Sequence, residues 1–319
     1  MLLAAGRGQR MEPLSTVVAK PALEVLGEPL LSTTLRQLAT CCEPLVVNLH
    51  RHPRQVATAV RAVLPKRHVR FSWEPELLGG AGGPARARHL FAAAPLLVGN
   101  ADTLSHLDLA PLLAAADPDG IVLGLVRHPD PAAWSAVRLA TDGRVSSILP
   151  AGVPGDGQPF LFTGFQVLGA GVVAALPPPP GEMAPLWRHL RESGRLSGRV
   201  LTGWWREAGD PEAYRRLVVD RAPAEGWRHP DAVVASGVSV VRSAVGKGCI
   251  VGTDCRLQES VVTAGTVVGD GCEIERCVVA GSFRVPDGIR ATDELLLPHG
   301  RFRLPTHAGP PSLTARTWT

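Results

Sequence analysis

The chain of 319 residues has few aromatic residues, few lysines and no long apolar run. Aromatic residues make up 5% of it, and of its 33 basic residues only Lys20, Lys66 and Lys247 are lysines. No apolar run reaches the roughly 18 residues that a membrane span requires, so the sequence predicts neither a span nor a membrane partner. The apolar start at residues 1–6 has no basic region before it, and a secretory signal is therefore not expected.

Concentrated positive charge and a dense cysteine framework are also missing. The formal net charge is +4, and the basic residues are spread along the chain. Nucleic-acid binders usually concentrate such residues, so no nucleic-acid partner is expected. Six cysteines without a dense framework are typical of a reducing compartment, which predicts a cytoplasmic protein. Cys41 and Cys42, at the end of a predicted helix, are interpreted as core packing.

Glycine and proline are abundant, with 34 and 29 residues, or about a fifth of the chain. This excess indicates many turns or a repeat with tight corners. The 45% hydrophobic content supplies enough apolar material for a core. The length corresponds to about two domains of roughly 150 residues each.

Short apolar runs alternate with amphipathic segments over residues 1–130, as in parallel α/β units. The pattern predicts a Rossmann-like, mostly parallel sheet with helices on both faces. In such sheets ligands bind beyond the carboxyl ends of the strands, where the loop 6–21 and Asp102 fall. The predicted strands cover residues 2–5, 45–49, 69–73, 96–98 and 120–126, the helices residues 30–39, 54–63, 85–94 and 109–116, and a loop residues 78–84.

Beyond residue 231 the pattern changes to β-branched apolar residues spaced five or six apart, so that every third one lies 17 positions further on. This spacing predicts a parallel β-helix of hexapeptide type with about three coils, each with three faces and an apolar interior. Small cysteines are expected to face that interior rather than to bind metal. The repeated residues are Val234, Val240, Val245, Val251, Leu257, Val262, Val268, Ile274, Val279 and Val285, and the cysteines are Cys249, Cys255 and Cys272.

These patterns divide the chain into four predicted parts. An α/β domain is expected over residues 1–217, a linker over 218–231, the β-helix over 232–290 and a proline-rich tail or cap over 291–319. The tail is expected to be loose or to cover the end of the coil.

The first turn has the composition of a phosphate-binding loop. Gly6 and Gly8 directly follow the first predicted strand, where backbone N–H groups can approach an anion closely. Arg10 and Lys20 add positive charge suited to a polyphosphate. The spacing fits neither a Walker loop nor a dinucleotide fingerprint.

Five motifs, in order, resemble those of the sugar-1-phosphate nucleotidylyltransferases. The segment 3–30 resembles the family signature, and the resemblance favours the subgroup similar to mannose-1-phosphate guanylyltransferases, with a C-terminal left-handed β-helix. The further motifs are Glu76–Gly83, Asn100–Thr103, Phe162–Gly164 and Trp205–Pro211, which resemble LGTAGG, NGDTL, FTG and WxDxGTP.

The resemblance implies in-line attack of a sugar 1-phosphate on the α-phosphorus of an NTP, with release of pyrophosphate and with Mg²⁺ as cofactor. Asp102 is expected to bind the metal, with capping of a helix near Leu107 as the structural alternative. Glu207 stands where the family usually has a second metal-binding Asp. The remaining implied roles are phosphate binding by Arg10 and Lys20, nucleotide binding by Ala5, Gly6, Gly8, Gly79, Gly82 and Gly83, and sugar binding by Thr163 and Gly164.

The identity of the substrates stays open at this point. GTP with mannose 1-phosphate is the preferred pair, and UTP with a muramic- or glucose-type sugar phosphate is the alternative. Ala101 and Glu207 depart from the family pattern, which leaves a catalytically weakened regulatory or assembly subunit as a second hypothesis. The β-helix is expected to mediate homo-oligomer formation rather than acetyl transfer, because residues 231–290 contain no histidine.

Overall fold

A computed structural model of the protein describes residues 1–91, 94–304 and 318. They form two compact units, the first containing residues 1–7 and 31–206 and the second containing residues 8–30 and those from 207 onward. The first 219 residues contain strands β1 (Leu2–Leu3), β2 (Glu24–Val25), β3 (Glu28–Pro29), β4 (Leu45–Leu49), β5 (Val69–Trp73), β6 (Leu96–Asn100), β7 (Thr103–Leu107), β8 (Ile121–Arg127), β9 (Ala136–Leu139), β10 (Val145–Leu149), β11 (Phe160–Leu168), β12 (Leu196–Val200) and β13 (Gly203–Glu207), and helices α1 (Ser32–Cys41), α2 (Pro53–Val63), α3 (Gly79–Ala87), α4 (Ala110–Ala114), α5 (Ala170–Ala174), α6 (Met183–Glu192) and α7 (Pro211–Val219).

The first unit is built on a nine-stranded sheet with the order β10-β9-β11-β6-β1-β4-β5, in which β8 also pairs with β11, and β12 pairs with β8. The pairs β6–β1, β1–β4 and β4–β5 are parallel, as predicted, whereas β11 is antiparallel to β6. All five residues of β4 are buried, which is typical of a central strand covered on both faces. The predicted strands at 45–49 and 69–73 have the predicted bounds.

Two local predictions in this unit are wrong. The glycine-rich segment 78–84 is mostly helical, because α3 begins at Gly79, and the predicted helix 85–94 ends at Ala87 before a 3₁₀ turn at Arg88–Leu90. Glycine is a poor helix former, by about 1 kcal/mol relative to alanine. Here close packing overrides propensity, since a Cβ on Gly82 would lie 3.0 Å from the backbone nitrogen of Gly181. Residues 92 and 93 of that predicted helix lie outside the described residues.

The second wrong prediction concerns the segment after Asp102. The helix predicted over 109–116 is present as α4, but residues 103–107 form β7, which pairs with β13 and separates Asp102 from the start of α4 at Ala110. The structural alternative for Asp102, a helix cap at that point, is therefore wrong.

The second unit contains the predicted parallel β-helix. Its strands stack with a 17-residue register, so that Val234 lies beside Val251, Val251 beside Val268, and Val268 beside Val285. Two faces carry four stacked strands each. The strands are β14 (Trp227–Arg228), β15 (Val233–Val234), β16 (Ser239–Val241), β17 (Ala244–Val245), β18 (Ile250–Val251), β19 (Arg256–Gln258), β20 (Val261–Val262), β21 (Val267–Val268), β22 (Glu273–Glu275), β23 (Val278–Val279), β24 (Arg284–Val285), β25 (Arg290–Thr292), β26 (Glu294–Leu297) and β27 (Gly300–Arg303).

The predicted interior of the β-helix is confirmed. All ten repeated apolar residues belong to its core cluster, nine of them buried and Val234 partly buried. Cys249, Cys255 and Cys272 are buried in the same cluster as small core residues, as expected. Inward β-branched side chains at a fixed repeat therefore account for the continuous core.

Residues 294–303 extend the stack of β-helix strands beyond the predicted end of the coil at residue 290. β26 pairs with β23 in parallel and with β27 as an antiparallel hairpin, so residues 294–303 are ordered strands. The remaining part of the predicted tail, residues 305–317 and 319, lies outside the described residues. The predicted domain boundaries at 217 and 231 stay predictions.

Two further findings bear on the sequence predictions. No helix formed by the described residues has the length and apolar character needed to span a membrane. Cys41 ends α1 as expected but is exposed rather than packed in a core, whereas Cys42 is partly buried.

Candidate active site

The carboxyl ends of β1 and β6 bring the first turn and the Asp102 segment together in the first unit. Leu3 of β1 is the register partner of Asn100 of β6, and the backbone nitrogen of Ala101 donates to the carbonyl of Leu3 over 3.1 Å. Ala5 and Gly6 therefore leave the sheet beside Asp102, at the edge where open α/β sheets bind ligands. Asp102 is half-buried, and the methyl group of Ala101, 1% exposed, fits in the core.

A buried polar network fixes the position of this turn. The side-chain carbonyl oxygen of Asn48, on β4, accepts a hydrogen bond from the backbone nitrogen of Ala4 over 2.7 Å. Its amide nitrogen donates to Oε1 of Glu74 over 2.7 Å, and Oε2 of Glu74 accepts from the backbone nitrogen of Leu78 at 3.2 Å. Both side chains are buried, so the network links the end of β1 to the start of α3.

Sequence reasoning missed Asn48 and Glu74. The available signal was one polar residue within the apolar strand 45–49, since buried polar groups in such a strand need specific partners. The partner, Glu74, follows the neighbouring strand β5 and is 0% exposed. Neither residue belongs to a motif that singles it out.

The predicted nucleotide-binding glycines of α3 pack closely against their surroundings. A Cβ on Gly83 would lie 2.9 Å from the amide nitrogen of Asn48 and 3.0 Å from Oε1 of Glu74, so the network requires glycine there. A Cβ on Gly79, where φ is +78°, would lie 2.5 Å from the carbonyl oxygen of Gly181. The backbone nitrogen of Gly82 donates to the same carbonyl at 2.9 Å. Gly79, Gly82 and Gly83 thus allow α3 to sit directly on its neighbours.

Of the two predicted sugar-binding residues, Gly164 lies next to the Asp102 segment. Its φ is +89°, and a Cβ there would lie 2.9 Å from that of Asn100. The Thr163 side chain is fully buried, and its hydroxyl donates to the carbonyl of Gly124 over 2.8 Å. The Thr163 carbonyl accepts from the indole nitrogen of Trp205 at 2.8 Å. The Thr163 side chain therefore holds β11 against β8.

The remaining predicted site residues, Gly8, Arg10, Lys20 and Glu207, belong to the second unit. Gly8 has φ +63° and precedes the 3₁₀ turn Gln9–Met11, while Lys20 begins another such turn, Lys20–Ala22. Nη2 of Arg10 lies 2.9 Å from Oε1 of Glu207. The structure therefore joins the predicted phosphate ligand Arg10 to the predicted metal ligand Glu207 in one ion pair.

Asp210, three residues beyond Glu207, has a structural role. Its side chain accepts a hydrogen bond from the backbone nitrogen of Ala213 at 2.8 Å and caps the N-terminus of α7. Aspartate is a preferred residue at that position, because it satisfies an otherwise unpaired N–H group of the first turn. Of the two carboxylates in the motif Trp205–Pro211, Asp210 therefore caps α7, and Glu207 is the one that pairs with Arg10.

The carboxylates suit a metal that enters with its substrate. Among the residues that the structure describes, no three His, Cys, Asp or Glu side chains form a preformed metal cluster. Mg²⁺ commonly takes one or two carboxylates and completes its octahedron with phosphates and water. Asp102 and Glu207 fit such a donor set in chemical type, as hard oxygen ligands.

The chain matches two families of known proteins. Residues 1–149 match the Nucleotidyl transferase family, and residues 230–304 match the family of GlmU-like, C-terminal hexapeptide segments. Among solved structures, HddC from Yersinia pseudotuberculosis in complex with GMP-PN is similar with a TM-score of 0.58 and 21% identity, over 69% of this chain and 97% of that one. This likeness supports the fold.

Curated relatives extend the match to whole enzymes. The N-acetylmuramate alpha-1-phosphate uridylyltransferase of Neisseria meningitidis is 33% identical over 72% of this chain and 99% of its own length. The mannose-1-phosphate guanylyltransferase of Mycobacterium tuberculosis is 28% identical over 81% of this chain and 77% of its own length. The chain therefore belongs to the sugar-phosphate nucleotidyltransferase family, enzymes that use a divalent metal, and carries a hexapeptide β-helix at its C-terminal end.

Proposed function

We propose that the protein transfers the uridylyl group of UTP to N-acetylmuramate α-1-phosphate. A phosphate oxygen of the sugar attacks the α-phosphorus, the bond between that phosphorus and the β-phosphate oxygen breaks, and pyrophosphate leaves. The observation that carries the choice of substrates is the 33% identity to an enzyme of that name, 99% of whose length is matched. The preferred sequence expectation, GTP with mannose 1-phosphate, is not confirmed.

The residues of this chain supply positioning and charge rather than a covalent intermediate. The backbone N–H groups of the turn 5–8 would bind the phosphates, and the Arg10 fork and the Lys20 ammonium would neutralise them. Such preorganised donors stabilise the charge that develops in phosphoryl transfer. Asn48 and Glu74 would keep the turn in place by holding the nitrogen of Ala4.

Asp102 and Glu207 would hold the divalent metal. When bound, such an ion neutralises phosphate charge and orients the reacting groups. In the structure Glu207 is paired with Arg10, so substrate binding requires an exchange of partners, with Arg10 going to phosphate and Glu207 to the metal. The Arg10 side chain is 66% exposed and can reach an incoming phosphate, whereas the Glu207 side chain is 18% exposed.

A second candidate reaction, guanylyl transfer to mannose 1-phosphate, is favoured by one observation. A relative with that name is matched over 81% of this chain, compared with 72% for the uridylyltransferase. More of this chain therefore has a counterpart in the guanylyltransferase, although its identity, 28%, is lower.

The experiment that decides between them is pyrophosphate release by the whole chain. UTP, GTP, ATP and dTTP are each combined with N-acetylmuramate, N-acetylglucosamine, glucose and mannose 1-phosphates in the presence of Mg²⁺. We expect the highest kcat/KM for UTP with N-acetylmuramate 1-phosphate. A higher value for GTP with mannose 1-phosphate would replace the proposal by the second candidate, and no release with any pair would support the weakened regulatory subunit.

Asp102→Asn tests the metal assignment in the same assay. The amide keeps the shape of the side chain but loses its charge, so we expect at least a 100-fold loss of kcat and an unchanged melting temperature. A matched control is Asp210→Asn, since asparagine also caps helices and should leave turnover near that of the wild type. Wild-type turnover in D102N would refute the assignment.

A further inference from the structure

The segment 8–30, which contains Arg10 and Lys20, belongs to the same compact unit as the β-helix. Its contacts with described residues beyond 206 include four, at Arg10, Val17, Glu24 and Gly27. The first is the ion pair of Arg10 with Glu207, at 2.9 Å. The other three involve Val17, Glu24 and Gly27, and each is made with α7 or with the coil itself.

The contact at Glu24 is the most specific of the four. Tyr214 of α7 is fully buried, and its hydroxyl donates to the backbone carbonyl of Glu24 over 2.6 Å. A buried tyrosine hydroxyl requires a hydrogen-bond partner, and the partner of Tyr214 is the carbonyl of Glu24, 190 residues earlier in the chain. The hydrogen bond therefore holds the β2–β3 hairpin, which directly follows Lys20–Ala22, against α7.

Gly27 and Val17 touch the coil itself. Gly27 has φ +82°, and a Cβ on it would lie 3.0 Å from the indole ring of Trp227 on β14. The absence of a side chain thus lets the hairpin turn lie directly on that ring. On another part of the segment, the Cβ of Val17 lies 3.4 Å from where a Cβ on Gly281 would be.

The carboxyl group of Glu24 fills the space next to the coil. Its Oε2 is buried without a hydrogen-bond partner and would lie 3.1 Å from a Cβ on Gly246. A cavity of about 10 Å³, room for a single water molecule, remains between Glu24, Tyr214 and Trp227. The segment and the coil are therefore in close contact around Glu24.

We propose that α7 and the β-helix together position the segment 8–30 for nucleotide binding, with Tyr214 of α7 and Trp227 of the coil as the residues that hold the segment in its binding geometry. The inference rests on the proposed function, because it takes Arg10 and Lys20 as phosphate ligands. It gives the coil a positioning role that is separate from any role in self-association.

The test compares two conservative variants of the whole chain. Tyr214→Phe removes only the hydroxyl that holds the Glu24 carbonyl. Val251→Ala is the matched control, since Val251 is a 1% exposed residue of the coil interior on another face and touches the segment through no described contact. Measured quantities are amide hydrogen exchange of residues 8–30, KM and kcat for the NTP, and the melting temperature.

In Y214F we expect exchange of residues 8–30 to rise at least tenfold and the KM for the NTP to rise about five- to tenfold, with a smaller change in kcat. In V251A the melting temperature should fall while both quantities stay at wild-type values. Trp227→Leu, which removes the ring beneath Gly27, should reproduce the effects of Y214F. The inference would be overturned if both Y214F and W227L kept wild-type exchange of residues 8–30 and a wild-type KM. It would also be overturned if V251A changed these two quantities as much as Y214F does.

Failure of the proposed function is distinguishable from failure of this inference. If the wild-type chain releases no pyrophosphate from any substrate pair, the proposed reaction is wrong. Exchange in residues 8–30 and the calorimetric affinity for Mg·UTP then decide the inference, because neither requires turnover.

Discussion

Replacement of Asn48 by leucine tests the network that holds the first turn. Leucine has nearly the shape of asparagine but no polar atoms, so the backbone nitrogen of Ala4 and Oε1 of Glu74 both lose their partner. A buried unsatisfied N–H group costs about 1–3 kcal/mol, and a lost hydrogen bond to a charged group costs about 1.5–3 kcal/mol. We expect N48L to lower the free energy of unfolding by about 3–5 kcal/mol.

Urea denaturation followed by tryptophan fluorescence measures this loss. With a slope of about 1–3 kcal/mol per molar urea, the transition midpoint should fall by at least ~1 M. Such a loss is a large share of the ~5–15 kcal/mol typical of native domains. A decrease below about 1 kcal/mol would refute the reasoning, because it would mean that the network contributes no more than an ordinary surface contact.

Asn48→Asp is the matched control, with the same shape and one atom exchanged. The new carboxylate would face Oε1 of Glu74 at the 2.7 Å now spanned by a hydrogen bond. Two carboxylates at that distance share a proton, so the folded state binds more protons than the unfolded one. The stability of N48D should therefore fall as pH rises from 5 to 8, whereas that of N48L should be lower than wild type at both pH values.

Three further predictions follow from single positions. Gly164→Ala should destabilise the protein by more than 1 kcal/mol in a thermal or urea melt, because φ is +89° and the new methyl would lie 2.9 Å from the Cβ of Asn100. A hydrogen bond from Cys42 lowers the pKa of the Cys41 thiol to about 6. Cys41 should therefore be mostly thiolate at pH 7 and react with iodoacetamide there. Cys42→Ala removes the hydrogen bond and should shift the midpoint of this labelling to higher pH. Burial raises the pKa of the Glu24 carboxyl group above its usual value of 4.5, so the folded state binds this proton more tightly than the unfolded state. The stability of the protein should therefore fall as the pH rises above 4.5. Glu24→Gln, which cannot titrate, should remove this pH dependence from thermal melts.

The β-helix could be predicted in detail because its physics is local and repeated. Each strand residue of one coil pairs with the residue 17 positions further on. This single spacing therefore determines both the strand register and which side chains face the interior. The strands at 45–49 and 69–73 were predictable because each is a short segment of strand-forming residues between helices, apolar in the first and alternating in the second. In all these cases the signal lies within a few neighbouring residues.

The helix α3 could not be predicted, because its stability depends on contacts that are distant in sequence. Four of its first five residues are glycines, which favour a loop by propensity. The helix packs against the backbone of Gly181 and the side chain of Glu182, which approach so closely that side chains on Gly79 and Gly82 would be excluded. The same holds for Asn48 and Glu74, whose pairing joins two strand ends.

The division of the chain into units was also beyond the sequence. Motif order assigns residues 8–30 to the α/β domain, because they follow its first strand. In the structure they belong with the β-helix, through partners such as Tyr214 that are about 190 residues away. Side-chain contacts of this kind leave no periodic signal.

Glu207 bears on whether the chain is an active enzyme or a weakened subunit. A longer carboxylate in place of aspartate suggests a lost metal ligand, but the structure shows where the extra length goes, since Glu207 reaches Arg10 at 2.9 Å. The Arg10 side chain is 66% exposed and that of Glu207 18%, so water reaches the pair mainly on the Arg10 side. A triphosphate offers the same guanidinium charge-assisted hydrogen bonds in exchange, and the Asp-to-Glu change is therefore compatible with the proposed phosphate role of Arg10.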